Sequence, residues 1–183
     1  MGSLVAILSL LAAVSGYQAS MSDSNQTTKN VQGQQALTDA NAEYLSANQL
    51  IVYDYSLYDG WYTAETDEKT EYYLGSFSEE LQASMANNLE DPFDDAYYTA
   101  MYTEPNAMFD AADALFEEAE EYNTRGDALQ LVLLVSALGL ALAAWASLLK
   151  EESPVRLAFG VLSTLMLIYS IVLYLGVPTV VAG

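Results

Sequence analysis

The chain has 183 residues, 25 of them acidic and 5 basic, with no His and no Cys. That composition excludes a disulfide framework, a zinc finger, a thiol nucleophile, a Ser-His triad and a His-held haem, and a formal net charge of −20 argues against a nucleic-acid partner, which needs Lys and Arg at its phosphates. With 52% apolar residues the chain is equally unlike a disordered acidic tail.

The first predicted element is the apolar stretch of residues 1–20. It is read as a transmembrane helix or as a secretory signal ending at Tyr17-Gln18-Ala19. The missing basic n-region favours the uncleaved span. Met1-Gly2 is not a myristoylation signal, because position 6 is Ala.

Residues 21–127 form the second element. They hold 23 of the 25 acidic residues and only Lys29, Lys69 and Arg125 as cations, so this segment carries the whole net charge. Its apolar periodicity is helical. Leu37, Asn41, Tyr44, Asn48, Ile51, Tyr55, Tyr58 and Tyr62 recur at spacings of 4 and 3, and Leu45 and Val52 widen the stripe. Such a stripe is read as a core face, the alternative being an exposed face for a partner. Asn41 and Asn48 on a packed seam would fix register or oligomeric state; the competing reading is that this part of the stripe is wet. A shorter segment carries Leu74, Phe77, Leu81 and Met85. A third begins with Pro92 at a first helical position after Asp91 and is interrupted by Pro105. The last stripe runs through Met108, Ala112, Leu115, Ala119, Tyr122, Gly126 and Leu129, so a final helix is expected from about Asn106 into the next span.

Residues 128–149 and 157–177 are the second and third expected spans, each long enough for a bilayer that takes roughly 20 residues of helix. Between them, the loop 150–156 carries Lys150 and Arg156, which predicts a cytoplasmic loop and an acidic domain facing outside. Residues 178–183 are a short tail. The expected architecture is an all-α integral membrane protein with three transmembrane helices. Its acidic extracellular domain is an antiparallel helical stalk reaching roughly 40–60 Å from the bilayer at 1.5 Å per residue.

Candidate sites are few. Glu90, Asp91, Asp94 and Asp95 are the best grouped carboxylates for a cation, with Glu117, Glu118, Glu120 and Glu121 behind them, but neither matches a calcium loop. The acid is read first as a solvated surface, and no catalytic or cofactor-binding residue is expected. Asn25-Gln26-Thr27 is a glycosylation sequon. The spans contain no ionisable residue other than Tyr, which counts against a coupled transporter. They do contain Ala12 and Gly16, Gly139 and Ala143, Ala143 and Ser147, and Gly160 and Thr164 at the four-residue spacing that lets helices approach. Eleven of the fourteen tyrosines lie in the acidic segment, too many and on too many faces to be core alone.

The composition resembles that of halophilic archaeal proteins, whose acidity keeps a surface soluble in molar salt. The order of elements also resembles an uncharacterised family of small prokaryotic membrane proteins, catalogued as a domain of unknown function. The resembling pieces are the first span passing into residues 34–49, the Glu121–Asp127 approach to the second span, and the closing hairpin of spans. This chain departs from that pattern by starting at the first span without a hydrophilic leader. The resemblance implies a fold and a membrane location and transfers no site residue. Two functions are expected from these observations. The first is a non-enzymatic, self-associating structural or scaffolding component of the cell envelope. It would contact the lipid bilayer, homo-oligomerise through stalk and spans, and take a further membrane protein as partner. The second is a pore-forming or cation-gathering channel subunit, with Ser136, Ser147, Ser163, Thr164 and Ser170 lining the pore.

Overall fold

A computed structural model describes residues 2–180. Among the described residues the chain is all-α, with no strand. It contains α1 (Gly2–Tyr62), α2 (Asp67–Leu74), α3 (Glu79–Asn87), α4 (Asp95–Leu148) and α5 (Pro154–Leu175). Three of these, α1, α4 and α5, contain a stretch long and apolar enough to cross a membrane, consistent with a multi-pass membrane protein. At about 1.5 Å per residue the 61 residues of α1 are far more than one crossing of a bilayer core of roughly 30 Å needs. The expected loop 150–156 is shorter than anticipated, because Pro154 occupies the first turn of α5, a position that needs no N–H. Residues 181–183 of the expected tail lie outside the described residues.

The chain divides into two compact units, Met1–Val31 with Leu115–Gly183, and Gln32–Ala114. Both cuts fall inside the acidic segment rather than at its membrane ends.

In the first unit three helices meet through small side chains. Ser15, Ala19 and Ser22 of α1 are buried, as are Ser136, Ala143 and Ala146 of α4, and Ser163 and Ser170 of α5. Gly139 sits at a three-helix contact. A Cβ there would lie 2.9 Å from Met166 Cβ and 3.1 Å from a Leu8 methyl, so only glycine permits this approach. The Ser163 hydroxyl donates to the Gly139 carbonyl at 2.7 Å and ties α5 to α4. Gln18 donates to the Tyr174 hydroxyl at 3.1 Å, linking α1 to α5. Lys29 pairs with Glu118 at 2.7 Å, and Arg125 donates to the Pro178 carbonyl at 2.6 Å.

In the second unit Ile51, Leu57, Phe77, Leu81, Tyr97 and Met101 form the core. The short helices α2 and α3 connect the two long ones. Each begins at a hydroxyl cap: Thr66 accepts from the Lys69 N–H, and Ser78 from the Leu81 N–H. Gly75 ends α2.

Two expectations about these helices are corrected. The first concerns the stripe predicted on the first helix. Of that stripe Ile51 is buried and Leu37, Asn48 and Tyr58 are half-buried, but Asn41, Tyr44, Tyr55 and Tyr62 are exposed, and a row of Gly33, Ala40, Ala47 and Asp54 at strict seven-residue spacing is buried beside it. Small side chains let the helices approach, and the larger tyrosines are displaced to the flanks, where Tyr44 stacks on Tyr102 at 5.2 Å. The second concerns the prolines. Pro92 precedes the helix rather than opening it. The Asp94 carboxylate is the cap, accepting from the N–H of Ala96 and Tyr97 at 3.0 and 3.1 Å, so α4 starts at Asp95 and not near Asn106. Pro105 does not interrupt it. A mid-helix proline costs about 3 kcal/mol, but Pro105 is itself fully buried and buried Met101 and Ala112 hold the helix on either side. The final stripe from Met108 to Leu129 is inward at every position, each residue buried or half-buried.

Candidate interaction surface

The most organised chemistry in the second unit surrounds Asp54, which is fully buried on α1. One carboxylate oxygen accepts from the Ser78 N–H at 3.0 Å. The other accepts from the Ser78 hydroxyl and, at 2.8 Å, from the Tyr97 hydroxyl. Ser78 is also the cap of α3, so a single carboxylate fixes α1, the start of α3 and the first turn of α4. No cation is needed, because three donors satisfy the charge. The Tyr97 hydroxyl is driven well above its ordinary range, first by burial and then by its bond to Asp54.

Around this hub lies an aromatic layer. Tyr55 stacks on Phe93 at 4.2 Å, and Phe93 meets Tyr58 and Tyr97 edge-on at 5.4 and 5.1 Å. The hydroxyls of Tyr55 and Tyr98 hydrogen-bond one another, which pushes Tyr98 up to about 12. Tyr102 donates to the Asn48 side-chain oxygen at 2.7 Å. The tyrosines are therefore divided. Tyr97 is core, Tyr58, Tyr73, Tyr98 and Tyr102 pack against it, and Tyr53, Tyr62 and Tyr72 are exposed.

The carboxylates singled out as cation ligands are not gathered. Asp94 is used as a helix cap and accepts from the Asn88 amide at 3.4 Å. The Tyr97 N–H is the main reason its carboxyl lies below the usual 3.8. Glu90, Asp91 and Asp95 are exposed around it. Among the described residues no three potential ligands stand close enough to hold a metal ion. In the second run, Glu118 is committed to Lys29. Asn25 of the sequon is half-buried on α1.

Of the hydroxyls considered for a pore, Ser147, Ser163, Thr164 and Ser170 donate to backbone carbonyls of Ala144, Gly139, Gly160 and Met166. Ser136 is buried, with no partner for its hydroxyl. The sequence does not single out Asp54 or Tyr97, because an aspartate among 25 acidic residues and a tyrosine among 14 carry no signal by type. The usable signal was position: Asp54 continues the seven-residue row of Gly33, Ala40 and Ala47.

No family model matches the chain, and no match was found among curated proteins or solved structures.

Proposed function

We propose that this protein is a self-associating structural or scaffolding component of the cell envelope, anchored by three spans with its acidic unit outside. The observation that carries this reading is apolar exposure where no lipid would cover it. In the second unit Leu45, Val52 and Tyr62 are 59%, 68% and 77% exposed, and Tyr53, Tyr72 and Leu89 are exposed with them. Leu45 and Val52 stand seven residues apart on one face of α1, and apolar side chains recurring on one exposed face mark a contact surface. The remaining chemistry supports the same reading, since the buried carboxylate and the tyrosine hydroxyls are bonded to each other and hold helices together. The loop with Lys150 and Arg156 supports the orientation, and we read the acidity as adaptation to high salt. Light scattering on the full chain, solubilised in mild detergent at molar salt, is expected to return a multiple of 19.9 kDa. A clean monomer would sink the proposal.

A further inference from the structure

Self-association of a chain with a net charge of −20 faces a specific obstacle, because any copy it meets carries the same charge. Like charges set opposite one another in a contact are destabilising, so a copy-to-copy interface needs a surface free of acid. One helix face provides it. Between Asn30 and Tyr53 of α1 the charged residues are Asp39 and Glu43 alone. They stand four residues apart on one side of the helix, roughly a third of a turn or more from the outward row. That row is Gln34, Thr38, Asn41, Leu45, Asn48 and Val52, at spacings of 4, 3, 4, 3 and 4. All are exposed except Asn48, which is half-buried because its side-chain oxygen receives the Tyr102 hydroxyl. The uncharged row stops at Val52, because Asp59 occupies the next seven-residue position and is exposed.

Resting on the proposed function above, we infer that this uncharged row on α1 is the face where two copies meet, as a parallel pair of α1 helices. The spacing is that of a coiled-coil seam, with Thr38, Leu45 and Val52 recurring every seventh residue. Two copies inserted in one membrane share an orientation, so a two-fold axis along the membrane normal brings the same row of each copy together. Asn41 lies on that row, where a polar residue fixes register at some cost in affinity. A basic partner would be drawn instead to the acidic faces, which this row avoids.

The chain has no cysteine, so single-cysteine variants need no background changes. Thr38→Cys, Leu45→Cys and Val52→Cys in the full chain, oxidised in native membranes, should each give a disulfide-linked dimer. Asp113→Cys, exposed on α4, should give none. A Leu45→Asp, Val52→Asp double variant should keep wild-type helicity by circular dichroism, both positions being exposed, and lose the dimer. Oligomeric mass by light scattering without cross-linking along the row overturns this interface and leaves self-association standing. Equal cross-linking at Asp113→Cys also overturns the interface. A monomer by light scattering overturns both.

Discussion

Asp54 shows how one side chain organises the second unit. It accepts three hydrogen bonds, from the Ser78 N–H, the Ser78 hydroxyl and the Tyr97 hydroxyl, and it is fully buried. Asp54→Ala would leave those donors unpaired in an apolar surround, at a cost of about 3 kcal/mol. Tyr97→Phe removes one bond to a charged group and should cost about 1.5 kcal/mol or more. Denaturant midpoints of the two variants, followed by tyrosine and tryptophan fluorescence, should order them Asp54→Ala below Tyr97→Phe below wild type. The same geometry sets an alkaline limit. Because the Tyr97 and Tyr98 hydroxyls ionise less readily folded than unfolded, their contribution is complete below the ordinary tyrosine value of 10.0 and is lost as pH rises beyond it. Near-ultraviolet circular dichroism should therefore hold steady up to about that pH and collapse above it, together with the rise of tyrosinate absorbance. Asp94 acts at the other end of the scale. Its capping contribution is present above 3.8 and is lost as pH falls below that value, so the start of α4 should fray only in strong acid.

Long helices are built here on small residues, and this decides what could be read from the sequence. The stripe from Met108 to Leu129 was legible because small and large residues alternate inward along it. The stripe on α1 is only half inward, at Leu37, Asn48, Ile51 and Tyr58, because its large tyrosines sit on the flank of a Gly33, Ala40, Ala47 seam. Pro105 looks like a break in the sequence because local propensity says nothing of the packing that overrides it. The three apolar stretches were plain from composition, whereas the Asp54 cluster depends on residues 24 and 43 positions away, beyond any local pattern. Gly139 is a close-packed point of the apolar helices. Gly139→Val places new carbon within 3 Å of Met166 Cβ, and overpacking of that kind costs about 1–3 kcal/mol. In detergent, thermal unfolding of Gly139→Val should begin at lower temperature than wild type, while Gly2→Val, with nothing near its Cβ position, should leave it unchanged.

At the scale of the molecule, charge is the governing term. With 23 carboxylates and 3 basic residues in the acidic segment, repulsion acts over roughly 30 Å in dilute salt and about 3 Å at molar levels. Helicity of the full chain in nanodiscs is expected to fall on dialysis to low salt and to return equally in KCl or NaCl. Recovery with micromolar calcium alone would mean that carboxylates such as Glu90, Asp91, Asp94 and Asp95 form a specific site after all. On the proposed self-association, the same screening would let acid-coated copies approach and the uncharged row on α1 would be the face they meet on. Counting photobleaching steps tests this most directly, using singly labelled chains reconstituted at high lipid-to-protein ratio in molar KCl. Most spots should bleach in two or more steps, and single steps throughout would mean that the chain does not self-associate.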